Sequence, residues 1–248
     1  VLARLSSAAL PGLSCCAPAA EAVAPLRLAA APCVSRITGP PVLVTSQGER
    51  YVLTIDQRGF ARGHDLVTGD VAWTVELPAI PDGGGERTVL TTPLVLGNLV
   101  VIGWQAFRTH HFVSVLDLET RALATEFETV TITASVPNFD ASAMVNFRPD
   151  KQLMRGTIRH LPDGDGGLGT AYLAMGNAPN SSPHHGWVFA LDLDAWRTGG
   201  ADDAIIHRLS TTLDVECGPS GSPDAGLCGG GIWNAAGLQM YEDAGGVT

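Results

Sequence analysis

Residues Tyr51 to Leu77, YVLTIDQRGFARGHDLVTGDVAWTVEL, leave no room for a helix. Tyr51, Leu53 and Ile55 alternate with more polar positions, the period of a half-buried strand. Gln57-Arg58-Gly59 reads as a turn, and Phe60 opens a second strand. Asp65 to Asp70 reads as a tight turn, because Asp and Thr side chains bond the backbone ahead of them and Gly69 can take a positive φ. Val71 to Leu77 then returns as a strand carrying Trp73. Three strands joined by two turns make an antiparallel meander.

The pattern recurs from Pro41 onward. Val42–Ser46 precedes the meander as a strand. Thr92 to Leu96 opens the next unit, Gly97-Asn98 turns, and Leu99 to Gly103 is nearly continuous apolar strand. Phe112 to Leu116 follows, and Leu123 to Thr129 is its return. Val130 to Gly169 carries no clear period. Ala171 to Met175, Trp187 to Leu191 and Ile205 to Leu213 read as further strands, and Gly237 to Tyr241 as the start of another. FARGHDLVTGDVAW, VSVLDLETRALAT and VFALDLDAWRTGG share one plan: apolar strand, Asp-Leu, turn. Asp65, Asp117 and Asp192 mark the three copies at irregular spacing, as loop insertion into a repeat array produces. The expected fold is all-β: four-stranded antiparallel sheets set side by side as a partial β-propeller, three repeats plus part of a fourth.

The 29 glycines and 16 prolines favour many turns and short strands, and a 45% apolar content suffices for a core. A net charge of −10 argues against nucleic acid or anionic lipid as the main partner, since both need a cationic face. No apolar run is long enough to span a bilayer. Val1 to Ile37, almost uncharged and rich in Ala, Pro, Leu and Ser, reads as a leader or signal remnant with Cys15, Cys16 and Cys33. The repeats occupy residues 38–248. The opening at Val1 and the stop in mid-pattern lead us to expect a piece of a longer chain. Cys217 and Cys228 close a Gly/Pro/Ser loop and read as a disulfide, hence an oxidising compartment; a reduced pair is the alternative.

Strand, Ala-Leu-Asp, Thr-Gly and Trp in this order resembles the repeat of the quinoprotein-like (PQQ-repeat) β-propellers. Asp65, Thr68, Gly69 and Trp73 carry the best match. Arg121 stands in the second copy where Gly69 stands in the first, and Ala195-Trp196 replaces Thr-Gly in the third. The resemblance implies that the repeat Trp docks against a neighbouring blade. It also implies an extracytoplasmic protein, periplasmic or extracellular and with a lipid anchor as one option, of one of two kinds. The first is a dehydrogenase that oxidises a small-molecule alcohol or sugar with PQQ and Ca²⁺. The second is a non-catalytic propeller that binds a protein partner as scaffold or sensor.

Met175-Gly176-Asn177-Ala178-Pro179-Asn180 resembles the family's Gly-Asn-Pro stretch, which makes Asn177 a candidate Ca²⁺ ligand through its amide oxygen; a Gly-Asn turn is the alternative. Gly229 to Asn234 resembles a glycine-rich stretch leading to a Trp near the cofactor, so Trp233 is a candidate to stack on the quinone, with interblade packing as its alternative. No catalytic residue is identified. Asp163 and Asp165 read as a solvated turn lacking the distal Glu of an EF-hand, and Asn180-Ser181-Ser182 fits a glycosylation triplet. Neighbours on a strand point to opposite faces, so neither His110-His111 nor His184-His185 makes a two-toothed metal claw without help; both pairs read as surface loop residues.

Overall fold

The meander at Tyr51 to Leu77 is present strand for strand in a computed structural model that describes residues 36–37, 39–81, 86–106, 108–177, 185–213, 238, 242–243 and 246–247. Blade 1 is the antiparallel sheet β1 (Val42–Ser46), β2 (Glu49–Ile55), β3 (Phe60–Asp65) and β4 (Val71–Glu76), in that order across the sheet.

Blade 2 has the same plan with broken outer strands. β5 (Arg87–Thr88) and β6 (Leu94–Leu96) both pair with β7 (Leu99–Ala106). β7 pairs with β8 (His110–Asp117), and β8 pairs with both β9 (Ala122–Leu123) and β10 (Val130–Thr131). A hairpin of β11 (Ser135–Pro137) and β12 (Met144–Asn146) follows in the stretch where the sequence shows no period. In blade 3, β13 (Gln152–Leu153) and β14 (Arg159–Leu161) share one edge of β15 (Thr170–Asn177). β15 pairs with β16 (Trp187–Asp192). Two short helices, α1 (Leu193–Gly199) and α2 (Ala201–Ala204), lead to β17 (Ile205–Ser210), which pairs with β16. The chain is thus all-β with three successive four-stranded antiparallel blades, a partial β-propeller. Among the described residues no helix is long and apolar enough to cross a membrane.

The core lies in the two seams between blades. Successive side chains on a strand point to opposite faces. Val100, Ile102, Trp104 and Ala106 of β7 accordingly pack with Tyr51, Leu53, Ile55 and Trp73 of blade 1. Val101 of β7 and Val113 and Val115 of β8 pack with Leu173, Met175, Trp187 and Phe189 of blade 3. β7 and β8 are buried on both faces, which is why they read as nearly unbroken apolar runs. The breaks in the outer strands coincide: Thr92, between β5 and β6, bridges Thr157, between β13 and β14. There Thr91 Oγ1 donates to the Gly103 carbonyl at 3.0 Å, and a Cβ on Gly103 would run into the sulfur of Met154.

Asp65, Asp117 and Asp192 each end the third strand of their blade and do the same local job. Asp65 Oδ1 accepts the Val67 and Thr68 amides at 2.8 and 2.7 Å. Asp117 Oδ1 accepts the Glu119 amide at 2.8 Å, and its Oδ2 accepts the Thr120 hydroxyl at 2.9 Å. Asp192 Oδ1 accepts the Asp194 and Ala195 amides at 3.0 and 2.9 Å. The amides of Thr68 and Val67 hold the Asp65 carboxyl below the ordinary carboxylate range. Positive φ follows where the alignment of the copies places it, at Gly69 (76°) and at Arg121 (53°).

The third copy departs from the others. After Asp192 the chain forms α1 rather than a tight turn, and Asp192 is its N-cap. Replacing Asp192 by Ala leaves two amides without partners and should lower stability by about 1 kcal/mol in thermal or urea unfolding, with the fold retained.

Candidate functional site

Asn177 is the last residue of β15, so the candidate ligand stands at a strand end, where its backbone pairs with Gln152 of β13. Its side chain lies outside the described residues, as do Trp233, the Cys217–Cys228 loop, Cys15, Cys16, Cys33, His184 and the Asn180 triplet. What surrounds this strand end is a buried polar stretch of the blade 2–blade 3 seam.

His111 is 1% exposed, on the face of β8 turned to blade 3. Its Nε2 lies 3.1 Å from the Gln152 carbonyl oxygen. A carbonyl only accepts, so Nε2 carries the proton and Nδ1 of the neutral ring is bare. Among the described residues the buried Nδ1 has no hydrogen-bond partner. Burial pushes the imidazole down to about 4; the bond to Gln152 opposes this, and the nearby His110 adds to it. The cross-strand neighbour of His111 is Gln105, 3% exposed, whose Oε1 accepts the Met154 amide at 3.4 Å. Phe147 meets His111 edge-on at 5.3 Å and Trp187 at 5.9 Å.

The expectation of surface histidines is therefore corrected at His111 and His185, both buried. β8 begins at His110, so alternation divides the pair between two covered faces: His110 stacks on Phe112 at 5.5 Å while His111 meets Phe147. His185 is held by the Thr212 carbonyl and hydroxyl at 3.1 and 2.8 Å. Gln105 and Gln152 belong to no motif that the sequence displays. Counting by two from Val101 through Gly103 to Gln105 puts an amide on the blade 3 face, a signal that was present.

A shallow cleft of about 340 Å³ at the opposite end of blade 3 includes Asp163, Asp192 and Asp194 in its lining. Its carboxylates are committed to the backbone. Asp194 Oδ2 accepts the Leu168 and Gly169 amides at 2.6 and 3.2 Å, and Asp163 Oδ1 accepts the Asp165 amide at 3.1 Å, as a solvated turn requires.

Calcium takes about 6–8 oxygen ligands and draws on carboxylates. Around the end of β15 the described neighbours offer amides and a protonated nitrogen. Among the described residues no group of three or more His, Cys, Asp or Glu is arranged to hold a metal.

No protein-family model and no curated protein matches the chain. Among solved structures it is similar to the quinohemoprotein alcohol dehydrogenase ADHIIG from Pseudomonas putida HK5, with 19% identity over 69% of this chain and 26% of that one, at a TM-score of 0.41. It is similar to a europium-containing methanol dehydrogenase, with 14% identity over 69% and 32% of the two chains and a TM-score of 0.43. It is also similar to BamB from Moraxella catarrhalis, with 14% identity over 67% and 50% and a TM-score of 0.32. These structural neighbours are of the quinoprotein-like, PQQ-repeat kind that the repeats resemble. The chain spans half or less of each.

Proposed function

We propose that the chain is part of an extracytoplasmic propeller whose blades serve as a protein-interaction scaffold. The observation that carries this reading is the exposure of large apolar side chains. Phe139, at the tip of the β11–β12 hairpin, is 84% exposed, and its amide bonds the Leu213 carbonyl, which places a second exposed apolar residue beside it. Exposed apolar groups set together mark contact surfaces. The repeat's marker residues, meanwhile, are taken up in building blades: Asp65 and Asp117 cap turns, Asp192 caps α1, and Trp73 is buried.

A second reading is a dehydrogenase acting on alcohols with PQQ and Ca²⁺. One observation favours it, the placement of Asn177 at a strand end beside buried polar groups. It needs carboxylate donors beyond the described residues. Equilibrium dialysis of the full-length protein against PQQ, with and without Ca²⁺, separates the two. No retention of PQQ by a folded chain is the expected result. Retention accompanied by alcohol-dependent dye reduction would overturn the scaffold reading.

A further inference from the structure

The seam between blades 2 and 3 is apolar along most of its length, with Val113, Val115, Leu173 and Met175 packed together. At the Asn177 end it changes character. Two side chains paired across blade 2, Gln105 and His111, reach over the seam and take hold of one short piece of blade 3 backbone. His111 donates to the carbonyl of Gln152 and Gln105 accepts from the amide of Met154. Between those two contacts lies β13, which has only the residue pairs Gln152↔Asn177 and Leu153↔Gly176 to join it to β15. A strand of two residues is weakly held by its own ladder; the Gln152 amide also donates to the Arg148 carbonyl at 3.0 Å, and the contacts from blade 2 add to what keeps β13 in place.

We propose that Gln105 and His111 form a latch over β13, and that adding a proton to His111 releases β13 and frees the end of β15 at Asn177. The geometry makes the latch one-sided. In the neutral ring Nε2–H is satisfied by Gln152, and the buried Nδ1 has no hydrogen-bond partner among the described residues. A proton on Nδ1 places a charge beside the Phe147 ring in a buried seam, a cost that opening relieves. Among the described residues in contact with His111 none is acidic: β7 presents the neutral Gln105, the segment leading to β13 presents Phe147 and Gln152, and His110 on the same strand opposes the charge. The depressed pKa has the sign this requires. The closed state binds the proton less well than the open one, so closure is fully favoured above the ordinary histidine range near 6.5 and weakens as pH falls from there toward about 4. The latch is independent of whether the propeller is scaffold or enzyme.

The test is amide hydrogen exchange of the whole chain at pH 7 and pH 5, expressed as protection factors so that the intrinsic pH dependence of exchange cancels. Protection at Leu153, Met154 and Gly176 should fall on the order of tenfold or more between the two pH values, while β2 and β3 of blade 1 hold theirs. His111→Gln keeps an N–H donor and removes the titration; its protection at these amides should not change with pH. His111→Phe, which removes the donor, should show low protection at both pH values. Unchanged protection in the wild type at pH 5, loss spread equally over all three blades, or the same loss in His111→Gln would each overturn the latch.

Discussion

Replacing Trp196 by Ala should destabilise the chain by about 3–5 kcal/mol, the range for emptying a large buried aromatic site. Trp196 is fully buried. It stands on α1 of blade 3 but makes its contacts in blade 2, where its indole N–H donates to the Glu128 carbonyl at 2.7 Å and its ring meets Phe127 edge-on at 5.2 Å. Truncation opens a cavity in the seam and leaves the Glu128 carbonyl without its donor. Urea unfolding followed by far-UV circular dichroism measures the loss. A change below about 1 kcal/mol would mean that α1 does not tie blade 3 to blade 2. Trp196→Phe should recover part of the loss, because it keeps ring contact and gives up only the hydrogen bond.

Gly63→Ala should cost about 3 kcal/mol or more although it adds a single carbon. Gly63 faces Trp73 across the β3–β4 ladder, and a Cβ there would overlap the indole itself. Trp73 has no room to retreat, since its ring meets Tyr51 edge-on at 5.9 Å and Arg121 of blade 2 lies over Tyr51 at 5.4 Å. The cost belongs to the pair, so it should vanish in the right background. In a Trp73→Ala chain the same Gly63→Ala change should be neutral or stabilising by about 0.5–1 kcal/mol, the usual advantage of Ala over Gly within a strand. A double-mutant cycle with no coupling would show that the indole does not rest on Gly63.

These two tryptophans show how the repeat was legible and where it was not. Trp73 sits in the copy that matches best, and it packs into the core shared by blades 1 and 2, as a docking residue would. Trp196 sits where the third copy loses its Thr-Gly. The chain there answers to helical signals instead: Asp192 as N-cap, Asp194 in the first turn, Arg197 in the last, and Leu193 and Trp196 buried three positions apart. Reading Asp192 to Trp196 as a continuation of the repeat missed that the same capping aspartate can open a tight turn or a helix, and that the following residues choose between them.

The candidate site was legible only in part. Asn177 was located at a strand end from its sequence context, but its companions were not foreseen. Gln105, His111 and Gln152 look unremarkable one at a time. Their significance comes from being gathered at one end of one seam.

What the sequence determined by itself is whatever acts over a few residues. Alternation by two set the faces of β2, β7, β8 and β15. An aspartate two or three positions ahead of free amides set the turns after Asp65 and Asp117 and the start of α1 after Asp192, and a left-handed position fell at Gly69 and at Arg121 alike. Tertiary structure decided the partners that lie far apart along the chain. His111 finds Gln152 across 41 positions, Trp196 finds Glu128 across 68, and Arg121 finds Ser46 across 75. A hydrogen bond within a turn depends on local backbone angles, which residue type controls directly. A bond across a seam depends on how two finished sheets settle against each other, and that follows from the packing of both faces together.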